Sequence, residues 1–98
     1  MEIQNYKKLK TLIGFAIKSN RLKYGIDNIT KKADIVIVSM GLASSAMQKL
    51  QKQCEQNQIK FKKLLIDDFA AIIKEGVKVI SIEKCELSNA IYQLMEEI

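Results

Sequence analysis

Histidine is absent from this 98-residue sequence, and so are proline and tryptophan. Without histidine the chain lacks the usual general base near neutral pH and the commonest metal ligand in proteins. The four glycines are isolated, so no phosphate-binding glycine loop is present. Two adjacent acids, Asp67 and Asp68, are explained by a position at the start of a helix, where negative charge is favourable. We therefore expect a protein that is not an enzyme and that uses no metal or cofactor.

Cysteines are few, and long apolar runs are missing. Cys54 and Cys85 have no CxxC spacing and no histidine to complete a zinc site, so we expect reduced, structural thiols. The longest apolar runs, such as Ile35–Val38, are far shorter than the ~20 residues that cross a bilayer. No linker-like or repeated segment divides the chain. These features predict a cytoplasmic protein without membrane contact, built as a single domain over residues 1–98.

Positive charge is concentrated in the first third of the chain. Residues 1–33 contain eight Lys or Arg and two acids, whereas residues 67–98 contain three lysines and seven acids. A basic region beside an acidic one can orient a protein on a polyanion such as a nucleic acid. A solvated lysine-rich surface explains the same composition, so charge alone leaves both interpretations open.

Hydrophobic periodicity divides the chain into alternating helices and strands. Four consecutive β-branched residues, Ile35–Val38, are typical of a strand that is covered on both faces. The apolar patterns predict helices over Asn5–Lys18, Ile26–Ala33, Ser44–Cys54, Asp67–Ile73 and Leu87–Ile98, and strands over 21–24, 35–38, 58–65 and 77–82. This order predicts an α/β protein, a three-layer α/β/α sandwich around a four-stranded mixed sheet with about five helices.

The segment from Asn20 to Lys32 is the most informative one for function. It combines a basic strand, a lone glycine and the start of the second predicted helix. Free backbone N–H groups at a helix start attract phosphate, and flanking cations add to that attraction. The cations of this segment are Arg21, Lys23, Lys31 and Lys32. An ordinary connection between a strand and a helix with a solvated basic rim accounts for the same residues.

The same region resembles a known family. Leu12–Gly25, a short helical pattern with Lys31, and the strand Asp34–Val38 are similar to the ribosomal L-seven-Ae/L-thirty-e superfamily, most of all to its small bacterial ribosome-associated members. The resemblance covers nearly the whole chain in the order of its elements. It implies the α/β/α sandwich and RNA as the ligand, with kink-turn RNA as the ligand of archetypal members.

Archetypal members bind kink-turn RNA through Gly-x-Asn-Glu at the start of the second helix, with a lysine three residues after the Glu. Gly25 and Lys31 match the glycine and the lysine, while Asp27 and Asn28 stand at the two readout positions. A carboxylate repels phosphate, but it can accept a hydrogen bond from a guanine amino group. The short apolar loop that meets RNA before the last strand corresponds to the charged segment 74–77.

We predict a small non-enzymatic RNA-binding protein, ribosome-associated and monomeric. The predicted RNA contacts are Arg21, Lys23, Gly25, Ile26, Asp27, Asn28, Lys31 and Lys32. The alternative is a protein-interaction module on the same fold. The departures at Asp27 and Asn28 and the acidic last third of the chain favour that alternative.

Overall fold

The computed structural model describes residues 3–97, in which two layers of helices enclose a four-stranded sheet. The helices are α1 (Ile3–Lys18), α2 (Ser44–Gln56), α3 (Ile66–Ile72) and α4 (Glu86–Glu96), and the strands are β1 (Leu22–Tyr24), β2 (Ala33–Ser39), β3 (Lys60–Leu64) and β4 (Val79–Glu83). A single 3₁₀ turn covers Ile26–Asn28. No helix in this part of the chain has the length and apolar character that crossing a membrane requires.

The last strand in the sequence lies inside the sheet. The strand order is β1-β4-β2-β3, and β4 runs antiparallel to both β1 and β2, whereas β2 and β3 are parallel. Four segments therefore meet at one end of the sheet, here called the Gly25 end: 24–25, 39–40, 64–65 and 78–79. At the opposite end, here called the Lys32 end, lie segments 21–22, 32–33 and 83–84.

Alternate residues of the central strands feed two separate cores. Ile35 and Ile37 of β2 point toward α1, α3 and α4, while Val36 and Val38 point toward α2, and all four are 0% exposed. Burial of each such side chain contributes roughly 1.5–3 kcal/mol to folding. The predicted three-layer α/β/α sandwich with a mixed sheet is thus confirmed, as is the expectation that Ile35–Val38 is covered on both faces.

The connection from β1 to β2 differs from the predicted helix over Ile26–Ala33. After the 3₁₀ turn the backbone becomes extended at Ile29, whose side chain packs on the α2-side core. Residues 26–32 must run from the Gly25 end back to the Lys32 end, a distance of about 16 Å along β4. Seven residues of α-helix would span only about 10 Å. The topology of the sheet therefore overrides the local helical pattern.

The remaining differences are shifts at the ends of elements. The third and fourth strands occupy 60–64 and 79–83 rather than 58–65 and 77–82. The last helix begins at Glu86 and ends at Glu96. Its predicted final residue, Ile98, lies outside the described residues, as do residues 1 and 2.

A buried serine ties α4 to the start of β2. Ser88 is 0% exposed; its Oγ accepts a hydrogen bond from the Cys85 backbone N at 3.0 Å and donates one to Asp34 Oδ2 at 2.7 Å. Asp34 Oδ1 also lies 3.5 Å from the Nζ of Lys60. The carboxylate of Asp34 is thus satisfied within the fold.

The position of β4 inside the sheet makes its side chains sensitive to truncation. Ile80→Ala should lower the free energy of unfolding by about 2–5 kcal/mol, because Ile80 is 0% exposed and its replacement leaves a cavity between β4 and the helices. Urea unfolding monitored by circular dichroism measures the change. The matched control is Ile17→Ala on α1, where the side chain is 43% exposed, and the expected destabilisation is under about 1 kcal/mol. Equal destabilisation by both variants would contradict this account of the core.

Candidate nucleic-acid interface

Gly25 turns the chain out of β1 at the edge of the sheet. Its φ of 87° and ψ of 158° fall in a region that residues with a side chain essentially do not adopt. Its backbone N donates a hydrogen bond to the carbonyl of Val79 at 2.8 Å, which ties the turn to the start of β4. The conformation explains why a glycine stands at this position.

The three residues after Gly25 form an exposed turn. Ile26, Asp27 and Asn28 are all exposed. The Nδ2 of Asn28 donates a hydrogen bond to the carbonyl of Tyr24 at 2.8 Å, so this side chain closes the turn while its Oδ1 stays open to solvent. Asp27 has no ion-pair partner within residues 3–97. The turn therefore presents a carboxylate and an amide oxygen, both hydrogen-bond acceptors, to a ligand.

The segment between α3 and β4 lies beside this turn. The Nζ of Lys74 is 5.6 Å from the centre of the Tyr24 ring, within the range of a cation–π contact. The carbonyl of Lys78 accepts a hydrogen bond from the Ser39 backbone N at 2.8 Å, which places Lys78 between β1 and β2 at the Gly25 end. The two segments that the family resemblance associated with RNA are therefore neighbours in the fold.

Exposed apolar side chains are unusually frequent at the Gly25 end. Of the seven large hydrophobic residues that are exposed among residues 3–97, four lie here: Ile26 at 41%, Met40 at 49%, Leu65 at 66% and Ile66 at 58%. Ile66 and the buried ring of Phe69 also line a small open cavity of about 150 Å³ beside segment 74–78. Apolar surface next to lysines suits unstacked nucleobases and the phosphates that join them.

The structure divides the eight predicted contact residues between two places. Gly25, Ile26, Asp27 and Asn28 are together at the Gly25 end, and Lys23 precedes them on β1, where its side chain is half-buried. The other three are Arg21, Lys31 and Lys32, which lie at the Lys32 end about 16 Å away along β4.

The α-helix start that was expected to hold phosphate is absent from its predicted position. The three-residue 3₁₀ turn that replaces it leaves few aligned N–H groups, and one of these, that of Asn28, donates to the carbonyl of Gly25 at 3.4 Å. Lys31, which matches the family lysine in sequence, is carried away from Gly25 by the extended connection. Backbone capture of phosphate by a helix dipole therefore has no structural basis here.

Reasoning from the sequence missed the contribution of distant segments. Met40, Leu65, Ile66, Lys74 and Lys78 reach the Gly25 end only because the strand order brings four chain segments together there. One local signal was available: Leu65 and Ile66 are two apolar residues directly before the acid pair Asp67–Asp68 in the first turn of α3, and both side chains are exposed.

Lysines of the edge strand β3 are engaged by α4. The Nζ atoms of Lys60 and Lys62 lie 4.7 and 5.2 Å from the centre of the Tyr92 ring. Lys62 also pairs with Glu96, and hydrogen bonds from Lys62 and Tyr92 hold the pKa of the Glu96 carboxyl below its usual value. These two lysines are less available to a ligand than the lysines at the two ends of the sheet.

The acidic and thiol side chains are dispersed over the part of the chain that the structure describes. Residues 3–97 contain no group of three or more Cys, Asp or Glu side chains that could hold a metal ion. Both cysteines are free, and Cys54 is 1% exposed on the inner face of α2. Burial raises the pKa of the Cys54 thiol to about 11, so this thiol stays protonated near neutral pH.

Replacement of Gly25 should strain the turn. Gly25→Ala is expected to lower the free energy of unfolding by about 1–3 kcal/mol, because alanine must adopt the same positive φ. Thermal and urea unfolding measure the effect. Gly14→Ala is the control: Gly14 lies in α1, an added Cβ there meets no atom within 4 Å, and the change should stabilise the protein by about 0.5–1 kcal/mol. A neutral Gly25→Ala variant would show that the turn adopts another conformation in solution.

The two cysteines should differ in reactivity. Iodoacetamide at about pH 8 is expected to modify the half-buried Cys85 much faster than Cys54, because the thiolate is the nucleophile and burial disfavours it at Cys54. Peptide mapping by mass spectrometry gives both rates. In guanidinium chloride the rates should converge. Comparable rates in the folded protein would contradict the burial of Cys54.

Comparisons with known proteins agree with the fold and show no family. The sequence matches no known protein-family model and no curated protein. The structure is similar to a protein of unknown function from Bacillus halodurans, with a TM-score of 0.78, 22% identity and coverage of 91% of this chain and 97% of the other. It is also similar to the Giardia lamblia 15.5 kD RNA-binding protein, with a TM-score of 0.70, 16% identity and coverage of 100% and 90%. The chain thus shares its fold with an RNA-binding protein, in agreement with the fold that the family resemblance implied.

Proposed function

We propose that this chain is a small non-enzymatic RNA-binding protein that contacts structured RNA, and kink-turn RNA in particular, with its Gly25 end. The observation that carries this proposal is that the exposed turn at Gly25–Asn28 lies next to segment 74–78. The hydrogen bond from the backbone N of Gly25 to the carbonyl of Val79, directly after that segment, holds the two together. The RNA-binding protein from Giardia lamblia, which has the same fold, supports RNA as the ligand. We further propose that the protein acts as a monomer in the cytoplasm, in association with the ribosome.

Different groups at the Gly25 end suit the phosphates and the bases of RNA. Lys23, Lys74 and Lys78 supply positive charge for phosphates at an end that also holds the acids Asp67, Asp68 and Glu75. Gly25 lets the RNA backbone approach closely because it carries no side chain. The exposed side chains of Ile26 and Met40 and the cavity beside Ile66 give apolar surface to bases that have left a stack. Such bases are typical of bent or looped RNA rather than of a continuous duplex.

Asp27 limits the affinity of this surface. Its carboxylate carries a negative charge that no neighbouring cation within residues 3–97 neutralises in an ion pair. Near a phosphate that charge is repulsive, whereas opposite a guanine amino group it can accept a hydrogen bond. The nature of the bound RNA therefore depends on what faces Asp27.

Replacing this carboxylate with an amide should strengthen binding to a kink-turn RNA. Asp27→Asn is expected to lower the Kd about fivefold, on the order of 1 kcal/mol, because it removes the charge and keeps the shape. A fluorescence anisotropy titration with a labelled kink-turn RNA at fixed salt measures the change. The control is Glu55→Gln on the outer face of α2, which removes the same charge from an exposed site. Equal increases in affinity would assign the effect to net charge, and an unchanged Kd for Asp27→Asn would place the RNA elsewhere. A higher Kd would indicate that the carboxylate accepts a hydrogen bond from a guanine amino group.

A protein-interaction module is the second candidate function. Leu65 and Ile66 are more than half exposed, at 66% and 58%, and apolar surface of this kind also suits a protein partner. Affinity capture from a lysate discriminates between the two functions. A bound protein that nuclease treatment leaves in place, together with no retention of the chain on RNA at low salt, would favour the protein-interaction module.

A further inference from the structure

A second group of cations lies at the end of the sheet that the proposed RNA site does not use. The backbone N of Glu83 donates to the carbonyl of Arg21 at 2.9 Å, and that of Lys84 donates to the carbonyl of Lys32 at 2.9 Å. These bonds place three chain segments side by side, with adjacent backbones about 4.8 Å apart. The exposed cations of the Lys32 end are Lys18 at the end of α1, Arg21, Lys31, Lys32 and Lys84.

The acids at this end neutralise little of that charge. Asp34 is turned inward, with a side chain that is 12% exposed and held by Ser88 and Lys60. Within residues 3–97 the only ion pair of the five cations joins Arg21 to Glu83 at 3.9 Å, a long contact that contributes little. Glu86, the first residue of α4, is exposed and offsets one of the five positive charges. The Lys32 end therefore carries an excess of exposed positive charge.

We propose that the Lys32 end is a second RNA-contact surface, which binds the phosphate backbone of a second segment of RNA. This inference rests on the proposed function, because it takes RNA as the partner. Segments 30–32 and 83–86 contain no aromatic residue on which a base could stack, so the contact that these two segments make is to phosphates. The exposed side chain of Phe15 lies one helical turn before Lys18 in α1. The surface opposes the Gly25 end across the length of β4, about 16 Å in a molecule whose longest extent is 32 Å.

The two ends together define what kind of RNA fits. An RNA that leaves one end of the sheet must continue along the protein or fold back to reach the other end, or else two RNA segments must be bound at once. A short RNA bound at the Gly25 end leaves the Lys32 end free to bind a second molecule of the same RNA. The protein thus binds RNA at two sites, one at each end of the sheet, rather than at one site.

Neutralising substitutions at the two ends test this inference. The variant Lys31→Gln/Lys32→Gln is compared with Lys74→Gln/Lys78→Gln at the Gly25 end. The control is Lys49→Gln/Lys52→Gln on the exposed outer face of α2, which removes the same charge. The probes are a labelled kink-turn RNA with long duplex arms and a short-armed version of the same RNA. All substituted lysines are exposed, and circular dichroism verifies that each variant is folded.

On the long RNA, Lys31→Gln/Lys32→Gln should reduce the slope of log K against log salt by about two, roughly one for each phosphate that the variant no longer neutralises. With the short RNA at low salt, native mass spectrometry should find two RNAs per protein for the wild type and the control. It should find one RNA per protein for Lys31→Gln/Lys32→Gln.

The other outcomes distinguish failure of the Lys32 end from failure of the Gly25 end. An unchanged slope and two bound RNAs for Lys31→Gln/Lys32→Gln would overturn the second surface and leave the Gly25 end in place. An equal reduction in the control would overturn it too, because it would indicate diffuse charge. Weaker binding by Lys31→Gln/Lys32→Gln but not by Lys74→Gln/Lys78→Gln would support the Lys32 end and refute the Gly25 end. A wild-type protein that binds neither RNA at low salt would refute both proposals.

Discussion

The insertion of β4 between β1 and β2 is the constraint on which the rest of this structure depends. The last strand of the chain pairs antiparallel on both sides, and its residues Ile80 and Ile82 are completely buried. Its first residue accepts the hydrogen bond that holds Gly25, and the residue after its end donates to Lys32. One strand therefore sets the position of both the Gly25 end and the Lys32 end.

This arrangement also determines which lysines are available to a ligand. Lys60 and Lys62 on the edge strand are engaged by Asp34, Tyr92 and Glu96, so the charges of these two lysines are partly satisfied within the fold. Exposed lysines lie at both ends of the sheet, with apolar side chains beside them at the Gly25 end. The Gly25 end therefore suits bases as well as phosphates, whereas the lysines of segments 30–32 and 83–84 suit phosphates.

The layers of the fold could be predicted from the sequence because they follow from local periodicity. Ile35–Val38 was predicted to be covered on both faces, and its side chains indeed alternate between two cores. The same local periodicity predicts a helix over Ile26–Ala33, because the apolar residues there have helical spacing, and that prediction is wrong. Only the length that residues 26–32 must span favours the extended form, and that length depends on the strand order.

The sequence by itself determined the α/β/α sandwich, the absence of histidine chemistry and the presence of a glycine where the chain turns out of β1, because each depends on composition or on neighbouring residues. The tertiary structure alone decided which residues share a surface. It brought Met40, Leu65 and Lys78 to Gly25 and moved Lys31 and Lys32 to the opposite end. The physical reason is that hydrogen bonding between strands far apart in the chain sets these neighbours, and local sequence patterns contain no information about strand order.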